Sequence, residues 1–123
     1  MQDIELGAVQ TQFAEIVWAN EPIASGDLVR ICQKELSWKK PTTYTVLRKL
    51  CDKGIFVNDG GTVKAKLTRA QYDAAKSGEL VNERFGGSLP AFVAAFMSAN
   101  SLTAQEADEI RALIDAYRKE TEQ

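Results

Sequence analysis

A proline at position 41 and a glycine at position 54 bracket a stretch, Trp38-Lys39-Lys40-Pro41-Thr42-Thr43-Tyr44-Thr45-Val46-Leu47-Arg48-Lys49-Leu50-Cys51-Asp52-Lys53-Gly54, that reads as one short helix. Proline is tolerated in a first turn, where its missing N–H would have had no partner, and glycine suits the left-handed residue after a last turn. At about 100° per residue, Thr43, Val46, Leu47 and Leu50 fall on one stripe that can face a core. Thr45 and Arg48 lie opposite, with Tyr44 and Lys49 at the edges and Lys39 and Lys40 just before the helix. An apolar back with a cationic, hydroxyl-rich front is what reading a major groove requires. Taken alone, the same pattern also describes an ordinary solvated helix face.

The neighbouring segments decide between those readings. Val9 to Ala19 is expected to be a first helix with Phe13, Ile16 and Val17 inward, stopped by Asn20-Glu21-Pro22. Ser25 is a good N-cap for a second helix running to about Leu36, with Asp27 in its first turn. After Gly54, the run Ile55-Phe56-Val57, the turn Asn58-Asp59-Gly60-Gly61 and the alternating Thr62 to Leu67 make a β-hairpin. Three short helices and a basic hairpin form a winged helix-turn-helix. Lys64 and Lys66, on one face of the return strand, join Lys39, Lys40 and Lys49 as candidate phosphate contacts. Thr42, Thr43, Tyr44, Thr45 and Arg48 are the candidates for the groove, although the helix angle of Thr43 also points it towards the core.

The remainder has another character. Arg69 to about Phe85 is expected to be helical, with Ser77-Gly78 as the place where it would break, and Gly86-Gly87 as a hinge or stop. Ser88 can cap a helix carrying Leu89, Phe92, Val93, Phe96 and Met97. Thr103 with Glu106 makes a capping box for a last helix to about Lys119, with Ala107, Ile110, Leu113, Ile114 and Tyr117 on its apolar stripe. So many apolar residues beyond an already complete domain could in part fold back on it; the preferred account is packing against a second copy of the chain. The expected fold is mainly α with a small β-hairpin. Residues 1–70 form a winged helix that binds DNA, and residues 71–123 form a helical dimerisation domain, with Phe92, Val93, Phe96, Met97, Ile110, Leu113, Ile114 and Tyr117 at the interface.

Charge supports that division. The net charge is −2, yet residues 1–70 carry ten Lys/Arg against eight Asp/Glu, and residues 71–123 carry five against nine. Within 34–53 the ratio is six to two. A focused basic surface can hold phosphate while an acidic half stays away from it. The chain has no histidine, which removes the commonest general base and metal ligand. It also lacks a Gly-rich phosphate loop, paired carboxylates and a nucleophile signature, so neither catalysis nor a cofactor is expected. Cys32 and Cys51 lack zinc-site spacing and read as small buried apolar residues, with a redox switch as the alternative. No apolar run approaches the roughly 18 residues that span a bilayer, and no signal segment opens the chain, so a cytoplasmic location away from membranes is expected.

The sequence resembles the penicillinase-repressor family, bacterial repressors of β-lactam-resistance and copper-homeostasis genes. The resemblance rests on Ile16-Val17-Trp18, on Trp38 with Pro41 to Leu50, on Lys53-Gly54, and on Leu102-Thr103-Ala104-Gln105-Glu106. It implies a cytoplasmic homodimer that represses transcription by occupying palindromic double-stranded operator DNA. An unidentified regulatory protease or inducer is a further implied partner. The copper-responsive branch ends in a cysteine-rich metal motif, which does not occur after Cys51. The β-lactam branch is inactivated by cutting an Asn-Phe bond, and the matching pair here is Ala95-Phe96. Gln10 stands where the family usually has Glu. Two other readings remain open at this point: a winged-helix adaptor for another protein, and a thiol-responsive regulator.

Overall fold

In the computed structural model, which describes residues 4–122, the order is α1 (Ala8–Asn20), β1 (Ile23–Ala24), α2 (Ser25–Leu36), α3 (Lys40–Asp52), β2 (Phe56–Asp59), β3 (Thr62–Ala65), α4 (Arg69–Phe85), α5 (Leu89–Ala99) and α6 (Ala104–Thr121). The architecture is mainly helical with one small antiparallel sheet, a winged helix followed by a helical region. Two compact units divide between Glu79 and Leu80, within α4. The boundary expected at residue 70 therefore falls at the start of α4. Its first turns stay with the first unit because the Tyr72 hydroxyl donates to the Ile4 carbonyl at 3.0 Å and Lys76 pairs with Glu5.

In the first unit, α1 to α3 each give one stripe to a shared core. Phe13, Ala14 and Val17 come from α1, Leu28 and Cys32 from α2, and Thr43, Leu47 and Leu50 from α3. Ile55, Phe56 and Val63 close the core from the sheet side. Rings extend it: Phe13 stacks on Trp38 at 5.6 Å, and Trp18 meets Phe56 edge-on at 5.6 Å. The indole N–H of Trp18 donates to the Leu67 carbonyl at 2.9 Å, so the half-buried ring keeps its donor satisfied. Gln10 caps the start of α1, its Oε1 accepting the Gly7 N–H at 3.3 Å.

The sheet has three strands in the order β1-β3-β2, all antiparallel. The hairpin expected from the glycine turn is present, with Asp59 opposite Thr62 and two glycines between them at φ +59° and +94°. Two successive positive φ values are what a tight hairpin turn demands. The return strand ends at Ala65, earlier than the alternation to Leu67 suggests. Both Lys66 and Leu67 instead donate their N–H groups to the Ile55 carbonyl. β1 has no signature in the sequence. It is only two residues long and borrows its pairing from β3, Ile23 facing Val63 and Ala24 facing Thr62.

Two local expectations are corrected. Ser25 does not cap α2; Ala24 is the N-cap, and Ser25 is the first helical residue. α4 is also continuous through Ser77-Gly78, where the Ser77 hydroxyl donates back to the Asp73 carbonyl at 2.8 Å within the helix.

The second unit follows the caps written in its sequence. Ser88 Oγ accepts the Ala91 N–H at 3.1 Å and opens α5. Thr103 Oγ1 accepts the Glu106 N–H at 3.0 Å, and Glu106 Oε1 accepts the Thr103 N–H at 3.0 Å. That reciprocal pair is a capping box. The same donors hold the Glu106 carboxyl below its ordinary value. Neither α5 nor α6 has a single buried residue.

Candidate nucleic-acid interface

α3 starts where its sequence says it should. Lys39 is the N-cap, Pro41 occupies the first turn, and Gly54 lies beyond the end at φ +81°. Its apolar stripe turns inward, which fixes what faces out. Lys39, Lys40, Thr42, Thr45, Arg48 and Lys49 are exposed. Tyr44 is half-buried at the edge of this face. The exposed positions 42, 45, 48 and 49 recur at helical spacing, so three hydroxyl or guanidinium tips and a lysine share one surface.

Thr43 is the correction in this set. It is 1% exposed, packed in the core beside the Cys32 thiol, and its side chain is unavailable to a groove. Its hydroxyl has no well-formed hydrogen-bond partner among the described residues. Thr43 shares the inward stripe with Leu47 and Leu50, one turn and two turns on, and that geometry outweighs its polarity.

The wing stands beside α3. A cleft of about 370 Å³ runs between them, with Leu47, Cys51 and Phe56 on its floor side and Tyr44, Arg48, Val57, Asn58 and Lys66 around it. Arg48 of the helix and Lys66 of the wing thus bound one cleft. Lys64 is placed differently. It is exposed but pairs with Asp59 across the hairpin at 3.6 Å, so the two wing lysines are not equivalent.

The two thiols lie inside this frame. Cys32 is fully buried, Cys51 half-buried, and both are free. Burial pushes both thiols up, against a smaller lowering by Thr43 at Cys32 and by the Asn58 backbone at Cys51. A raised thiol is a poor nucleophile at neutral pH, which weighs against a thiol sensor. No group of His, Cys, Asp and Glu able to hold a metal occurs among the described residues, and no described helix is long and apolar enough to cross a membrane.

The second candidate surface is apolar. Val93, Phe96, Met97, Ile110, Leu113, Ile114 and Tyr117 are all exposed, Leu113 at 71% and Tyr117 at 66%. Phe92 is half-buried and meets Phe85 edge-on at 5.5 Å. Val93, Met97, Leu102, Ala107, Ile110 and Ile114 line a groove of about 280 Å³ between α5 and α6, with almost no polar surface.

A winged helix with a basic third helix, followed by helices that have no core of their own, matches a known group. The sequence profile of penicillinase repressors fits residues 6–116. The chain belongs to the penicillinase repressor family. A penicillinase repressor from Bacillus licheniformis is 20% identical over 118 residues, which is 93% of this chain and 92% of that protein. Penicillinase repressors are transcription regulators and not an enzyme family. The stretch that the profile covers takes in α1 to α5 and α6 as far as Ala116.

Proposed function

We propose that this chain is a homodimeric, DNA-binding transcriptional repressor of the cytoplasm, acting by occupying a palindromic operator and excluding the transcription machinery. The observation that carries the reading is the single surface formed by α3 and the wing. Thr42, Thr45 and Arg48 are its base-reading candidates; Lys39, Lys40 and Lys49 are exposed on or beside the same helix, Lys66 shares the cleft with Arg48, and Lys64 is exposed on the wing. Arg48 suits a guanine edge, Thr45 a thymine methyl, and the lysines phosphate oxygens. Tyr44 contributes its hydroxyl from the edge.

Two such units joined as a dimer would present two recognition helices to two half-sites. The second binding event then becomes intramolecular, which raises affinity without any new type of contact. The exposed apolar residues of α5 and α6 supply the joining surface. The winged unit is the DNA-reading part, centred in residues 1–70, and residues 71–123 supply the dimerisation part. Ala95-Phe96 lies on an exposed helix but lacks the asparagine of the cleaved bond in the β-lactam branch, so that cleavage is not carried over to this pair.

The test is to recover fragments of the native genome on the purified protein and sequence them. Enrichment of one inverted repeat upstream of few genes is the expected result. Fragments with no common motif, or no retention above a heparin wash, would remove DNA reading and leave protein binding as the role of the winged helix.

A further inference from the structure

Ser25 sits where three elements meet. It opens α2, yet its hydroxyl caps nothing on that helix. The hydroxyl lies 3.0 Å from the Tyr44 hydroxyl on α3. Its backbone N–H donates to the Gly61 carbonyl, at the turn of the wing, at 2.8 Å. One residue therefore joins α2, the recognition helix and the wing, and both hydroxyls are only partly buried.

Resting on the DNA-binding reading above, we propose that Ser25 is a positioning residue for DNA recognition, setting the direction of the Tyr44 hydroxyl and tying the wing turn to α3. Either hydroxyl can be the donor; in the proposed arrangement Ser25 donates to Tyr44 Oη, which leaves the Tyr44 proton for an outside acceptor. A phosphate oxygen only accepts, so Tyr44 can then donate to it. Two hydroxyls in series also polarise each other, which strengthens the outer bond.

The experiment measures affinity for the selected operator with wild type, Ser25→Ala, Ser25→Thr, Tyr44→Phe and the Ser25→Ala/Tyr44→Phe double variant, together with thermal unfolding of each. Ser25→Ala is expected to weaken binding roughly five- to tenfold, the effect of one hydrogen bond. Ser25→Thr should restore most of it. Tyr44→Phe should lose a similar factor, and adding Ser25→Ala to it should cost nothing more. Neither residue is charged, so the slope of affinity against salt should stay the same throughout. A purely structural tie would lower the melting temperature and leave affinity unchanged. Affinity of Ser25→Ala within twofold of wild type, or an equal Ser25→Ala loss in the Tyr44→Phe background, overturns the inference. Failure of the wild-type protein to bind any operator is a separate outcome, visible before any substitution, and it removes the repressor reading and this inference together.

Discussion

Thr43 and Arg48 sit five positions apart on α3 and end on opposite sides of it. Thr43 is sealed in the core beside the Cys32 thiol with no well-formed hydrogen bond from its hydroxyl, whereas Arg48 is exposed beside the wing. A buried polar group without a good partner costs stability, and its removal at constant shape is neutral or favourable. Thr43→Val is therefore expected to raise stability by about 1 kcal/mol, read by chemical denaturation, with operator affinity unchanged. A loss of DNA affinity without destabilisation would return Thr43 to the groove. Arg48→Ala should instead relax preference at one base pair by about 1–3 kcal/mol, and Lys40→Ala should weaken all DNA alike and reduce the salt slope by about one. Competition gel shifts against single-base operator variants at several salt concentrations separate the two. Equal losses for both variants on every sequence would mean that Arg48 only grips phosphate.

Much of the element scale was legible because caps and turns are local chemistry. Pro41 and Gly54 bounded α3, Gly60-Gly61 made the hairpin, and Ser88 and Thr103-Glu106 opened α5 and α6, each through contacts within a few residues. What the sequence did not carry is mostly non-local: β1 exists only through its pairing with β3, and Ser25 turns to a tyrosine nineteen positions away. The continuity of α4 through Ser77-Gly78 is a local exception, where the Ser77 hydroxyl bonds back to the Asp73 carbonyl. Periodicity also left Thr43 ambiguous until Leu47 and Leu50 fixed the inward direction. The local devices are testable as elements. Gly61 has φ +94°, outside what side chains adopt comfortably, so Gly61→Val should destabilise the wing by roughly 1–3 kcal/mol in thermal unfolding. An unchanged melting temperature would show that the turn tolerates a side chain. The capping box has a pH signature. The Thr103 hydrogen bonds hold the Glu106 carboxyl below its ordinary value in the fold. Its contribution is complete above that value and fades as pH falls through the lower folded value. Helicity followed by circular dichroism should therefore drop in acid, and less so in Thr103→Ala, which has already lost one half of the cap. An acid transition identical in both proteins would mean that α6 does not depend on the box.

At the scale of the whole molecule, charge and apolar surface are divided between the two units. The basic face is built on α3 and the wing, while α5 and α6 leave seven of the eight proposed interface residues exposed, Phe92 alone being half-covered. Helices gain little stability in isolation and depend on covering an apolar face. A pair without one buried residue leaves an apolar face to cover, and in the proposed homodimer a second copy supplies an identical one related by a two-fold axis. Ile110 and Ile114 lie one turn apart in the groove with Val93 and Met97. Ile110→Asp/Ile114→Asp places two carboxylates where desolvation would be required, and association should be lost. Sedimentation should give wild type at twice the 13.6 kDa chain mass and the variant at the chain mass. The variant keeps its winged unit, so contact with a single half-site survives while the tethering is gone. Affinity for the full palindrome should then fall by about 10²–10⁴, the usual worth of a second linked site, with little change on an isolated half-site. A wild-type monomer, or a variant that remains dimeric, would assign the exposed faces of α5 and α6 to another partner.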